Sequence, residues 1–170
     1  SDDFRLLSSG PSTAIGELML PARQPGSSIM PGKVNPVMPE MLDMVCFQVI
    51  GNDAAITLAC KGELQLNVFM PVVAHNLLNS MHILSNAIIG FTEKCVKDVT
   101  INKKKIKEHL EKNSIIATAL SPYIGYEKAA LVAKRAYNEG KTVRQVVLEM
   151  KLLPEKQLNK ILDYSKMTNR

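Results

Sequence analysis

The chain has 170 residues, of which 46% are hydrophobic, 22% charged and 5% aromatic, and its net charge is +5. This apolar content excludes a disordered chain, and three scattered cysteines exclude a disulfide scaffold. Abundant Leu, Met, Ala, Lys and Ile with few aromatic residues argue against an all-β protein. No basic segment followed by an apolar stretch marks a signal peptide, so we predict a cytoplasmic protein.

The charge is unevenly distributed along the chain. Residues 1–90 contain 4 Lys/Arg and 7 Asp/Glu, a net of −3, whereas residues 91–170 contain 17 and 9, a net of +8. This shift predicts two domains, residues 1–99 and 100–170. The lysines of the second part alternate with glutamates, which is typical of solvated helix faces, so we expect no nucleic-acid partner.

The N-terminal part begins with a short predicted helix, from Asp2 to Ser8, which is followed by a long loop. Residues 10–35 concentrate helix-breaking residues, and a loop of this length inside a domain is usually functional. The breakers are Gly10, Pro11, Gly16, Pro21, Pro25, Gly26, Pro31 and Gly32.

Two long helices are predicted next. The first opens at Asn35-Pro36 and is apolar nearly all round from Val37 to Ala59, which predicts burial on all sides. The second lies between Glu63 and Glu93, where no Asp, Glu, Lys or Arg occurs. Its recurrent Asn, Ser and His residues argue against a membrane span. Helices of this length need packing partners from other chains or from further parts of the protein, so we predict a helix bundle.

Past residue 100 the pattern changes to short amphipathic helices, predicted near 102–112, 114–119, 126–138, 142–150 and 154–163. The fold class is therefore all-α, a long-helix bundle followed by a small C-terminal helical domain.

The segment 26–40 carries the most specific chemistry. It is not a nucleotide-binding P-loop, because five residues separate Gly26 from Gly32 and Val34 replaces the required hydroxyl residue. It combines serine hydroxyls with Lys33 and Asn35, which can bind a carboxylate, near the positive end of a helix dipole. Residue chemistry leaves two interpretations open: an anion-binding corner with a serine at its edge, or a Gly/Ser/Pro surface loop.

The same segment resembles the signature of the fumarase/aspartase superfamily, Gly-Ser-Ser-x-Met-Pro-x-Lys-x-Asn, at every fixed position. Ser9-Gly10-Pro11, Gly51-Asn52-Asp53, Leu66-Asn67-Val68 and Ile124-Gly125-Tyr126 resemble further landmarks in the same order. The resemblance covers essentially the whole chain. Because the family's chains are much longer, it implies a C-terminal part: half of the central helical domain of a tetrameric lyase and its small last domain.

The resemblance implies an elimination that yields fumarate. Leu20–Gly26, Asn35–Glu40 and Val45–Asp53 resemble bacterial aspartate ammonia-lyases, which release ammonia from L-aspartate. Phe69-Met70-Pro71 and His75-Asn76 lean towards class II fumarases, which release water from L-malate. A third hypothesis, a non-catalytic helical assembly module, also stays open, because Ser12 stands where the family commonly has Arg.

The resemblance also implies roles for individual residues. Ser27 is the base that removes the β-proton, giving an aci-carboxylate intermediate, and its hydroxyl needs activation by loop N–H donors. Lys33 and Asn35 hold the substrate carboxylate, with Ser28 beside them. Glu40 supports a histidine that lies upstream. The remaining loop residues, which close over the substrate, are Gly26, Ile29, Met30, Pro31 and Gly32.

Partners and cofactors follow from the same resemblance. We expect a small dicarboxylate substrate, a homotetramer of the full-length protein, no membrane partner, no cofactor and no metal site, although some aspartases respond to divalent cations. The family's other signature regions, which carry a substrate-binding Thr/Ser/Asn cluster and the histidine, are absent from this sequence. We therefore expect residues 1–170 alone to be inactive.

Overall fold

The structure is a computed structural model that describes residues 1–10 and 13–167, so Ser12 lies outside the described residues. It is 66% helical, which confirms the all-α prediction. The N-terminal elements are α1 (Asp2–Leu7), β1 (Leu18–Met19), α2 (Val37–Ala59), α3 (Met70–Lys94), a 3-10 turn (Val96–Asp98) and β2 (Thr100–Ile101). The C-terminal elements are α4 (Lys103–Lys112), a 3-10 helix (Ser114–Leu120), α5 (Ser121–Ile124), α6 (Tyr126–Glu139), α7 (Val143–Glu149), α8 (Glu155–Ile161) and a 3-10 turn (Tyr164–Lys166).

The chain divides into two units, Ser1–Asn102 and Lys103–Arg170. The sequence-predicted boundary, between residues 99 and 100, differs from this division by three residues. Those three residues include β2, which pairs antiparallel with β1 through Leu18–Ile101 and Met19–Thr100 and so belongs to the first unit. A two-residue strand leaves too short an alternation of apolar and polar residues to be recognised from sequence.

A tight turn separates α2 from α3 and explains why α3 begins at Met70, later than the uncharged segment does. Gly62 and Leu64 have positive φ angles of 55° and 48°, which interrupt helical geometry. Asn67 then joins the two helices, because its side chain donates to the Ala59 carbonyl at 3.0 Å and accepts from the Phe69 N–H at 2.8 Å.

Helices α2 and α3 form the main packing contact of the first unit. A polar chain of hydrogen bonds crosses it: Gln48 donates to the buried Asn52, and Asn52 donates to the Ser80 hydroxyl, both at 2.9 Å. Helix α1 packs at the far end, where the rings of Phe4 and Phe91 meet edge to face at 5.4 Å.

Burial of α2 on all sides stays a prediction, because it requires packing partners beyond those that the described residues supply. Only Pro39, Asp43, Asn52 and Ala59 of α2 are buried, since α3 covers one face. The other faces of both helices leave large apolar side chains exposed, among them Phe47, Ile50, Leu58, Leu78, Met81 and Ile89. Helix α2 is long and apolar enough to cross a membrane by length and composition, but its buried Asp43 and Asn52 bond to protein groups, as in a bundle helix.

The second unit has a core of its own. Leu120, Val132, Val146, Val147 and Leu158 are fully buried there. Helix α7 begins with a capping box, in which the Thr142 hydroxyl accepts from the Gln145 N–H and the Gln145 side chain accepts from the Thr142 N–H. Helix α6 ends at Gly140, whose φ of 62° and ψ of 24° are left-handed.

Candidate active site

The predicted base, Ser27, lies midway along the segment between β1 and α2, next to Gly26, and is half-buried. Its Oγ accepts hydrogen bonds from the backbone N–H groups of Ile29 and Met30, each at 3.2 Å. Both donors belong to the loop that contains Ser27. Two N–H dipoles aimed at one oxygen stabilise negative charge on it, so they favour the deprotonated form of Ser27, which is the form that can accept a proton.

The loop closes on itself at Gly26. The Gly26 N–H donates to the Lys33 carbonyl at 2.8 Å, and the Asn35 side-chain N–H donates to the Gly26 carbonyl at 3.2 Å. A side chain at Gly26 has no room, because a Cβ atom would stand 2.5 Å from the Lys33 oxygen. The turn at the far end of the loop uses Gly32, whose φ is 79°. We call Gly26, Lys33 and Asn35 the loop neck.

The tip of the loop projects from the unit. Ser28, Ile29, Met30 and Pro31 are exposed, and the exposed fraction of Ile29 reaches 84%. Such apolar exposure at a tip is consistent with a loop that packs only when another surface meets it.

Lys33 and Asn35 line one cleft, together with Gly32. This cleft, of about 340 Å³, also has walls from Ser8 and β1. Among the described residues the Lys33 ammonium group has no hydrogen bond or ion pair, so its charge is available to an anion. Ser27 and Glu40 do not line this cleft.

Glu40 lies one turn into α2 and is half-buried, beside a charge cluster that sequence reasoning missed. Asp43, one turn further, is buried and accepts from the Ser1 hydroxyl and, at 2.8 Å, from Arg5. The hydrogen bond from Ser1, followed by that from Arg5, lowers the pKa of Asp43. Asp43 in turn, with smaller effects of Asp2 and Glu40, raises the pKa of Arg5. The only sequence signal was an aspartate among the apolar residues Met41 to Phe47 of α2.

A second missed residue, Arg23, anchors the segment ahead of the loop. Its Nε donates to the Lys94 carbonyl at 2.6 Å, and its Nη2 pairs with Asp98. With the β1–β2 pairing, these contacts attach the chain before Gly26 to the end of α3. Nothing local in sequence connects residues 71 positions apart, so this tether was not predictable.

No group of three or more His, Cys, Asp or Glu side chains within residues 1–10 and 13–167 has the arrangement of a metal site. His75 and His82 are both exposed, and the His82 ring lies 3.2 Å from the Asn86 amide.

Comparison with known proteins decides the family. The family described as "Lyase" matches residues 1–51, and "Fumarase C C-terminus" matches residues 116–169. An aspartate ammonia-lyase from a Bacillus species is 48% identical over 99% of this chain, and a class II fumarate hydratase from Bacillus anthracis is 48% identical over 98%. The chain belongs to the fumarase/aspartase superfamily.

A solved structure of this superfamily shares the fold. The fumarate lyase/delta crystallin from Brucella melitensis, solved with cobalt bound, is 47% identical with a TM-score of 0.93, covering 98% of this chain and 36% of its own. The chain likewise spans 36% of the length of the two curated relatives and corresponds to a C-terminal portion of them. The family matches confirm the resemblance, whereas the roles of individual site residues stay predictions.

Proposed function

We propose that the complete protein carrying this sequence is an aspartate ammonia-lyase, which converts L-aspartate to fumarate and ammonia. The observation that carries the lyase chemistry is the Ser27 hydroxyl, held by two backbone N–H donors and followed by the ammonium group of Lys33, which has no partner among the described residues. The choice of L-aspartate rests on the resemblance of Leu20–Gly26, Asn35–Glu40 and Val45–Asp53 to aspartate ammonia-lyases. A base and a carboxylate anchor in one short loop are the parts that a β-elimination from a dicarboxylate requires.

In the proposed reaction the Ser27 oxygen removes a proton from the β-carbon. The electron pair of that C–H bond moves into the adjacent carboxylate, giving an aci-carboxylate with two negative charges. Lys33 and the second amide hydrogen of Asn35 stabilise this charge, with Ser28 nearby. The electron pair then returns to form the C=C bond, and the C–N bond of the protonated amino group breaks with its electron pair going to nitrogen, so that NH3 leaves. The β-proton stays on the Ser27 oxygen. Glu40 orients a histidine from outside residues 1–170.

A second candidate is class II fumarate hydratase, which converts L-malate to fumarate and water. It is favoured by the equal identity, 48%, of the Bacillus anthracis enzyme. The loop chemistry is the same for both, because only the leaving group differs.

The test is fumarate formation by the complete protein, measured by ultraviolet absorbance with L-aspartate and L-malate supplied separately. The first proposal expects turnover of aspartate, and turnover of malate alone would transfer the assignment to the hydratase. A folded oligomer that turns over neither would favour a non-catalytic assembly module.

Two variants test the role of Ser27. Ser27→Ala should lower kcat by at least about a thousandfold, the order lost with an essential base, and leave the oligomer intact. Ser28→Ala is the matched control, because the Ser28 hydroxyl receives no loop N–H among the described residues; its loss should be far smaller. Near-normal activity of Ser27→Ala would refute the assignment.

We also propose that the complete protein is a homotetramer, in which the exposed faces of α2 and α3 are covered. Phe47, Ile50 and Met81 are each more than 60% exposed in the isolated chain. Apolar patches of this extent are typical of subunit interfaces.

A further inference from the structure

Gly26 is hydrogen-bonded on both sides of its backbone. Its N–H donates to the Lys33 carbonyl at 2.8 Å, and its carbonyl accepts from the Asn35 side chain at 3.2 Å. Both ends of segment 27–34 are therefore held together by hydrogen bonds to Gly26. The approach at Gly26 is so close that a Cβ atom there would stand 2.5 Å from the Lys33 oxygen and 3.0 Å from the Asn35 nitrogen.

The geometry of the peptide bond extends this constraint to Ser27. The Gly26 carbonyl lies in the same rigid plane as the Ser27 nitrogen and Cα. When the Asn35 side chain fixes the direction of the Gly26 carbonyl, it also fixes the orientation of the peptide plane that contains the Ser27 nitrogen and Cα. The φ and χ1 rotations of Ser27 remain, and the N–H groups of Ile29 and Met30 restrain both by bonding to Oγ.

We propose that Asn35 is a positioning residue for Ser27, acting through the Gly26 carbonyl and independently of bound substrate. The inference rests on the proposed function, in which Ser27 is the base. One amide hydrogen of Asn35 holds the Gly26 carbonyl, and the other remains for a substrate carboxylate. Asn35 thereby connects the anchored end of the substrate to the group that removes its proton.

The first test is hydrogen–deuterium exchange of the complete, substrate-free protein, followed by mass spectrometry of the peptide covering 26–34. Asn35→Ala removes a bond of the loop neck, so we expect exchange in this peptide to accelerate several-fold to about tenfold. Lys33→Ala is the matched control. Lys33 contributes to the loop neck only through backbone atoms. In Lys33→Ala, exchange of the peptide covering 26–34 should therefore stay at the wild-type rate, although activity falls. Unchanged exchange in Asn35→Ala would overturn the proposal.

The second test asks whether Asn35 acts through Gly26. We expect Asn35→Ala and Gly26→Ala each to lower kcat at saturating substrate by about 10- to 100-fold, the effect of misplacing a reacting group by roughly 1 Å. If both act on the same bond, the double variant loses little more than the more impaired single variant. Losses that multiply in full would mean that no part of the Asn35 effect passes through the Gly26 carbonyl, and they would overturn the proposal.

Wild-type turnover separates the two levels of inference. A complete protein that forms no fumarate from either substrate would overturn the proposed function and the positioning role together. An active wild type whose Asn35→Ala variant shows unchanged exchange, or faster exchange with unchanged kcat, would overturn the positioning role alone.

Discussion

At the scale of single residues, backbone atoms carry much of the candidate chemistry. The Ser27 hydroxyl receives N–H groups from Ile29 and Met30, whose side chains point out at the exposed tip of the loop. Negative charge on the Ser27 oxygen is stabilised by the backbone of Ile29 and Met30 and not by their side chains. The turn that directs these two N–H groups at the oxygen therefore matters more than the identity of the two residues. This is why Gly26 and Gly32, which permit the turn, belong to the site as much as its polar residues do.

Asp43 predicts a pH dependence of stability. Its pKa is lowered in the folded chain, so the stabilisation by Ser1 and Arg5 is fully present above the ordinary Asp value of about 3.9 and is lost as the pH falls through the lower folded value. Asp43→Asn should lower Tm at pH 7 and flatten its decline below about pH 4. Thermal unfolding of the complete protein from pH 2.5 to 7 measures this.

Asp53→Asn is the matched control for Asp43→Asn. Asp53 is exposed on the same helix and has no ion pair among the described residues. Its variant should reproduce the wild-type decline. Equal slopes for the Asp43 and Asp53 variants would contradict a stabilising role of the Asp43 cluster.

At the scale of elements, the α2–α3 pair depends on polar contacts inside an apolar interface. Asn52 is 5% exposed and bonds to both Gln48 and Ser80. A buried amide with both ends satisfied disfavours sliding of one helix along the other, since every shifted register leaves polar atoms unpaired.

Asn52→Ala should lower the free energy of unfolding by about 1–3 kcal/mol, because two hydrogen bonds of a buried amide are lost and the half-buried Ser80 hydroxyl loses its donor. Asn86→Ala provides the comparison. Asn86 is exposed on α3, so its loss should stay within about 0.5 kcal/mol. Urea unfolding measures both, and equal losses would show that the network contributes no more than a surface contact.

The end of α6 offers a second test at this scale. Gly140 adopts a left-handed conformation that costs other residues about 1–2 kcal/mol, while Asn tolerates it better. Its Cβ position is open, so the cost is conformational and not a clash. Gly140→Ala should therefore lower the free energy of unfolding by about 1 kcal/mol, and Gly140→Asn by less. Equal losses in urea unfolding would exclude the conformational explanation.

At the scale of the whole molecule, α2 and α3 bury one face against each other and leave the rest uncovered. The exposed apolar residues occur along both helices, from Phe47 to Leu58 and from Leu78 to Ile89. A helix pair of this length is stable in water only when further helices cover it.

Met81→Glu should therefore dissociate the proposed tetramer, because the new charge would lie in an apolar interface. Thr92→Glu, also on α3 and exposed, is the control and should leave the assembly intact. Light scattering coupled to size-exclusion chromatography measures the mass of each. A tetrameric Met81→Glu would exclude this part of α3 from the interface.

Residues 1–170 expressed alone should form no fumarate from L-aspartate or L-malate. The proposed reaction needs a histidine and further substrate contacts from outside this sequence, and uncovered helices favour aggregation. Ultraviolet absorbance of fumarate, measured with residues 1–170 and with the complete protein as positive control, checks this. Turnover by residues 1–170 would show that the loop and its surroundings suffice.

The sequence by itself determined the fold class, the family and the position of the loop. Each is encoded locally: the apolar pattern of α2 and α3, the breakers of residues 10–35, and the signature from Gly26 to Asn35 require no knowledge of distant contacts. The helix ends of the C-terminal unit were also predicted closely, since capping residues such as Thr142 and Gly140 act on their own neighbours.

Tertiary structure decided the contacts between residues far apart in the chain. The Arg5–Asp43 pair, the Arg23 tether to Lys94, and the bond from Asn52 to Ser80 join positions 28 to 71 residues apart. Sequence placed Asn35 only as a carboxylate ligand, whereas the fold also brings its amide to the Gly26 carbonyl. The type of a side chain determines which groups it can bond to. Which donor meets which acceptor is decided only when the folded backbone brings the two residues together.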